Sequence, residues 1–267
     1  MADRVGVLGA TSFVGRALLP RLEQQGWRVV AFSRSGGPAA ADEGPIPFWI
    51  ALCPIWAVPE HFARLEAHGA KRLVALSSTS RFTKHESADA GERDVAQRLE
   101  AAEEAIHGWG AARGVSTVIL RPTLIYDGCH DKNITLIAAF IRRRGWFPVL
   151  GPAQGLRQPV HVYDVAAACT AALTRGGARQ AYDLSGAETL SYRDLVGRVA
   201  KAVGANPRVV ALPRWVFRVA VPLLRLLPAF RGISVGMFDR MNEDLIFDHS
   251  AARRDLGFDP RGFRLPE

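Results

Sequence analysis

Apolar and polar positions alternate in a regular rhythm along this chain. Short apolar runs with a two-residue period are followed by stretches where apolar residues recur every three or four positions, and Gly or Pro marks the joins. Val5–Leu8 predicts a strand and Phe13 to Gly26 a helix with Val14, Leu18 and Leu22 on one face. Arg28–Ser33 predicts a second strand. After a Gly-, Pro- and Ala-rich loop at 35–45, the apolar run Ile46–Pro54 predicts another. Between those two strands there is no room for the helix and strand that a full alternation needs, so a third strand is reduced or missing. Further on the pattern predicts a short helix over 59–69, a strand Arg72–Leu76, and a long helix Glu92 to Gly108 with Val95, Leu99, Ala102 and Ile106 on one face. A strand over 116–120, a helix over about 134–144 and a helix from Asp164 follow. Strands alternating with helices over residues 4–175 predict a doubly wound parallel sheet with helices on both faces.

The join between the first strand and first helix is where chemistry is expected. Gly9-Ala10-Thr11-Ser12-Phe13-Val14-Gly15 carries a strand into a helix through a glycine-bounded turn. The first N–H groups of a helix have no partners and point at an incoming anion, so this turn predicts a diphosphate site. Ser33-Arg34 ends the second strand, where an acidic residue would favour NAD; a serine beside an arginine can neutralise a 2′-phosphate. NADP(H) is therefore expected over NAD(H). Four hydroxyls, Ser77-Ser78-Thr79-Ser80, stand at the end of another strand, on the edge where open α/β sheets bind ligands.

Composition narrows the classes. The 267 residues, 48% of them hydrophobic, suffice for one α/β domain over 1–175 and a smaller, interleaved C-terminal α+β part over 176–267. The formal charge is +8, but no basic run is interleaved with aromatic residues, which argues against nucleic acid. Cys53, Cys129 and Cys169 are far apart and in no zinc-ligand spacing, so no metal site is expected and a reduced, cytoplasmic compartment fits. No apolar run approaches the ~20 residues that span a bilayer. Pro213 to Phe230 reads as a basic amphipathic helix, with Arg214, Arg218 and Arg225 on one side; packing on the sheet domain is the favoured reading and a membrane-surface contact the other. Residues 231–247 offer a mobile lid or further core. A monomer or a homodimer suits such a chain.

Taken together, the glycine turn 9–15, Ser77-Ser78-Thr79, Arg121-Pro122-Thr123-Leu124-Ile125-Tyr126, Arg157 with His161-Val162-Tyr163-Asp164-Val165-Ala166, and the tail Asp248 to Pro260 resemble the extended short-chain dehydrogenase/reductase superfamily, in its NAD(P)-dependent epimerase/dehydratase branch. The resemblance implies a Rossmann-type fold and a dinucleotide held by Gly9, Thr11, Ser12, Phe13, Val14, Gly15, Ser33, Arg34, Ala51, Leu52, Cys53, Ser77, Arg121 and Pro122. It implies a small-molecule substrate, such as a nucleotide sugar, near Ser78, Lys84, Arg157 and His161, and it puts Thr79 at the family's catalytic Ser/Thr position.

Two departures stand out. Ser12 replaces the family's middle glycine, and the Tyr-x-x-x-Lys pair is missing: counting back from Ala102-Glu103 puts Val95 and Leu99 at its positions. Tyr126, Lys84 and His85 are the remaining candidates for a proton donor. Two function classes follow, an NADP(H)-dependent oxidoreductase or epimerase-like enzyme of atypical active site, and a non-catalytic dinucleotide-binding protein acting as redox sensor, regulatory subunit or assembly factor.

Overall fold

Six parallel strands form the central sheet of the computed structural model: β1 (Arg4–Leu8), β2 (Arg28–Phe32), β3 (Phe48–Ala51), β4 (Arg72–Leu76), β5 (Ser116–Pro122) and, far along the chain, Ala181–Leu184, in the spatial order β2-β1-β3-β4-β5-(181–184). The structure describes residues 3–32, 44–131, 133–205, 208–217, 219 and 235–265. Alternate residues of each strand enter opposite cores, as a sheet covered on both faces requires. Val74 packs with α1 (Phe13–Gln24) and α6 (Val162–Arg175), while its neighbours Leu73 and Ala75 pack with α4 (Ala90–Arg113). Short helices α2 (Phe62–Ala67) and α3 (Ser80–Thr83) complete the layer on the α4 side.

β1 pairs with β2 on one side and β3 on the other, so chain direction across the sheet reverses at β1. Among the described residues no strand lies beyond β2, and 48–51 takes the place next to β1 that a fourth strand usually holds.

The long helix runs further than its sequence pattern predicts. Asp89 caps it by accepting from the N–H groups of Gly91 and Glu92, and it stops at Gly114 in the left-handed region (φ 66°) rather than at Gly108. Gly110 inside it permits close approach to β5, since a Cβ there would lie 2.5 Å from Thr117 Cγ2.

A second core gathers β6 (Ile125–Tyr126), α5 (Ile134–Arg144), β7 (Trp146–Leu150), β11 (Leu190–Ser191), α7 (Tyr192–Ala202) and β12 (Arg208–Leu212), numbering Ala181–Leu184 as β10; β8 (Leu156–Arg157) pairs with β11, and β9 (Val160–His161) pairs with β6. Neither core is one stretch of chain. β10 and the closing helix Ser250–Leu256 return to the large sheet, whereas α5 and β7 leave it before residue 175, so the sequence division at 175 is crossed in both directions.

Candidate functional site

The C-terminal edge of the sheet collects Gly9–Gly15, Ala51–Cys53, Ser77–Thr79 and Pro122. Gly9 sits at φ 76°, and a Cβ on it would lie 2.6 Å from the Cys53 backbone nitrogen; a Cβ on Gly15 would lie 2.1 Å from the Ala10 carbonyl oxygen. Both outer glycines are therefore demanded by close backbone approach. The middle position is not: Ser12 has φ −65° and ψ 166°, ordinary extended backbone, and its hydroxyl caps α1 by accepting from Gly15 N–H at 3.1 Å. Phe13 and Val14 open the helix, where N–H groups have no intrahelical acceptor, and Thr11 beside them is exposed. These groups fit a diphosphate.

Leu52 N–H donates to Leu8 O at 2.8 Å and fixes the Ala51–Cys53 edge beside the turn. Burial raises the Cys53 thiol pKa. Ser33 and Arg34, expected to read the adenosine ribose, lie outside the described residues, as do Arg218 and Arg225 of the basic amphipathic stretch.

The hydroxyls after β4 face three ways. Ser77 Oγ donates to Glu103 Oε1 at 2.6 Å, on the α4 side of the sheet. Ser78 Oγ accepts from Ser80 N–H at 3.1 Å. Thr79 is buried, and both its N–H and its hydroxyl donate to the Pro122 carbonyl, at 3.2 and 3.3 Å.

Glu103 is the centre of a cluster that motif reading passed over. It is 1% exposed, and beyond Ser77 it accepts from Arg121 Nε at 3.0 Å and pairs with Arg81 and Arg121. Arg121, expected at the cofactor, also stands 3.9 Å from Asp183 and lies over the Phe82 ring. Burial pushes the Glu103 pKa up, but hydrogen bonds from Arg121 and Ser77 and the arginine charge more than offset it, so the carboxyl titrates below its ordinary range. The signal was in the sequence: Glu103 falls on the buried stripe of Leu99, Ala102 and Ile106, and a carboxylate on an apolar stripe requires partners. One turn earlier, Leu99 is 4% exposed and packs with Leu73 and Ala75, with Val95 partly buried beside it. Arg98 makes a surface pair with Asp94 at 3.7 Å and stacks on Trp56.

The expected donor and substrate residues are spread apart. Tyr126 is fully buried; its hydroxyl donates to Gly262 O at 3.3 Å and accepts from Arg264 N–H at 3.2 Å, closing it under the C-terminal tail, and burial raises its pKa. Arg157 is buried, with donors on the carbonyls of Leu156 and Glu243 (2.7 Å each) and of Arg240; burial draws its pKa down to about 10, still protonated at neutral pH. It clamps the segment 240–243 rather than facing open space. Lys84, half-buried, has its pKa lowered by burial and by the charge of Arg240.

His161 caps α6, its Nδ1 accepting from Tyr163 N–H at 3.2 Å, so α6 starts two residues before the expected Asp164. Burial, then the charge of Arg261, lowers the imidazole pKa. His161 lines a groove of about 880 Å³ with Phe13, Arg16, Asp127, Tyr163 and Arg261. That groove joins the start of α1 to the tail and does not include Thr79 or Lys84.

Residues 61–185 match the model of the NAD dependent epimerase/dehydratase family. Among curated proteins, a 115-residue stretch is 32% identical to subunit 9 of the NADH dehydrogenase [ubiquinone] 1 alpha subcomplex, mitochondrial, of Arabidopsis thaliana, covering 42% of this chain and 27% of that protein. A stretch of 151 residues is 28% identical to the uncharacterized protein y4nG of Sinorhizobium fredii, covering 55% of this chain and 37% of that one. The matches thus span about a quarter to a third of these relatives' lengths. Among solved structures, a putative epimerase from Burkholderia cenocepacia J2315 superposes with a TM-score of 0.68 at 18% identity, over 97% of this chain and 93% of that one. RMD from Pseudomonas aeruginosa, complexed with NADPH, gives 0.69 at 17% identity over 97% and 94%. MoeE5 in complex with UDP-glucose and NAD gives 0.70 at 17% over 98% and 94%. Residues 61–185 thus match the family's model, and the fold over nearly the whole chain is that of these solved structures.

Proposed function

We propose that this chain binds a nicotinamide dinucleotide across the C-terminal edge of its sheet and holds it as a sensing or structural group, not as a hydride carrier for a sugar substrate. The observation that carries this reading is the Glu103 cluster with the apolar turn before it. Proton transfer needs a titratable group near neutral pH that faces the reacting atoms. On α4 that ground holds Val95, Leu99 and a carboxylate fixed in its charged form by Arg121 and Arg81. The Thr79 hydroxyl is committed to Pro122, and Tyr126 is closed under the tail. The name of the Arabidopsis relative, a subunit of an NADH dehydrogenase subcomplex, supports a regulatory or assembly role.

Gly9, Gly15 and the opening N–H groups of α1 would hold the diphosphate, and Ser33-Arg34 would favour NADP(H). When bound, the dinucleotide supplies a redox-dependent shape and charge. A cytoplasmic setting belongs to the same reading, through the three cysteines. Fluorescence titration should give tighter binding of NADPH than of NADH, and Arg34→Ala should level the two. Incubation with UDP-glucose should yield no epimerised or oxidised sugar and no net change in the dinucleotide. Catalytic turnover of UDP-glucose or another nucleotide sugar would overturn the non-catalytic reading and favour the atypical enzyme.

A further inference from the structure

One end of the small core carries charge that the dinucleotide site does not use. β7 and β12 run parallel, with Trp146 opposite Arg208. Each strand begins shortly after a helix ends: α5 stops at Arg144 and α7 at Ala202. Both helix C-termini therefore lie at the end where the two strands start. Arg142, Arg143, Arg144, Lys201 and Arg208 are all exposed there, and among the described residues none of the five is in an ion pair. The helix dipole accounts for a cation at each C-terminus. Five gathered at one end without carboxylates repel one another and call for an external anion.

Apolar surface adjoins them. Trp146 is 36% exposed and meets Phe140 edge-to-face at 5.6 Å. Leu136, one turn before Phe140, is 64% exposed. Leu136, Phe140 and Arg143 are four and three residues apart, on one face of α5, with Leu136 and Arg143 exposed and Phe140 partly buried at its edge against Phe147.

We propose that this face docks on an anionic lipid surface, with the arginines at the level of the headgroup phosphates and Trp146, Phe140 and Leu136 at the acyl boundary. The unpaired cations select an anionic partner. The contiguous apolar row selects lipid over nucleic acid, because a phosphodiester backbone offers nothing apolar to Leu136 whereas a membrane interface does. Among the described residues no helix is long and apolar enough to cross a membrane, so the contact is peripheral. The surface is separate from the dinucleotide edge and does not depend on what happens there.

Vesicle flotation of the full chain tests it, comparing phosphatidylcholine alone with phosphatidylcholine containing phosphatidylserine. Wild type should float with the anionic vesicles only, and rising salt should release it. The triple variant Arg142→Gln, Arg143→Gln, Arg144→Gln should lower the partition coefficient roughly 100-fold, as the loss of three surface cations implies. Leu136→Ser, at an exposed site that leaves the fold intact by circular dichroism, should lower it by less but measurably. Equal recovery with neutral and anionic vesicles overturns the proposal. So does retention on duplex DNA, unaffected by Leu136→Ser, without vesicle binding.

Discussion

Ser77 Oγ donates to Glu103 Oε1 at 2.6 Å, so the first residue after β4 is turned beneath the sheet edge rather than out over it. Arg81 and Arg121 converge on the same carboxylate from α3 and β5, which ties two strand ends to the middle of α4.

Removing that carboxylate should be costly. Glu103→Ala strips the most buried partner from two arginines, 20% and 16% exposed, leaving Arg81 with Glu100 at 2.9 Å and Arg121 with Asp183 at 3.9 Å. Breaking a buried pair from one side typically costs about 3–5 kcal/mol. Urea unfolding should show a loss in that range, and Ser77→Ala a smaller one of about 1 kcal/mol. Equal stability of Glu103→Ala and wild type would remove the cluster from the folding account.

The same group sets an acid limb. Its folded pKa lies below the ordinary carboxylate value, so its stabilisation is present above the unfolded pKa and is lost as pH falls through the folded one. Stability of wild type should therefore fall as the pH drops below about 4, with a shallower slope in Glu103→Gln. Thermal melts across that interval read the difference, and parallel curves would contradict it.

At the glycine turn the two kinds of position should separate. Gly15→Ala drives a methyl into the Ala10 carbonyl and should cost about 3 kcal/mol, the upper end for overpacking. Ser12→Gly restores the family's middle residue and should change stability by only a few tenths of a kcal/mol, because Gly is a tolerable N-cap. Ser12→Ala, which loses the cap, should cost about 1 kcal/mol. Denaturant melts of the three variants give the ranking.

Tyr126→Phe tests whether its phenol serves the tail or a reaction. Loss of the hydroxyl that joins Gly262 O and Arg264 N–H should cost about 0.5–1.5 kcal/mol and speed proteolysis near residue 262. NADPH affinity should be unchanged. A loss of dinucleotide binding with an intact tail would reverse that assignment.

Much of the fold was legible in the order of its patterns. The alternation of strand and helix, the short span between β2 and β3, and the glycine turn each follow from local rules: residue period, loop length and the freedom of glycine at φ 76°. The reach of α4 was not, because Gly108 and Gly110 look like stops in one dimension; only contact with Thr117 shows that one of them makes room for β5. The carbonyl partners of Arg157 at 240 and 243 were hidden for a similar reason, being remote in sequence.

By itself, the sequence determined which segments build the large parallel sheet, where the glycine turn lies, and that positions 95 and 99 hold no proton donor. Those are properties of neighbours along the chain, where backbone geometry and residue chemistry act over a few positions. The tertiary structure decided what each polar group faces. Glu103, Ser77, Arg81 and Arg121 meet because parallel strands bring their C-terminal ends to one edge and α4 crosses beneath it, and their desolvation must be balanced by partners that no local rule can assign.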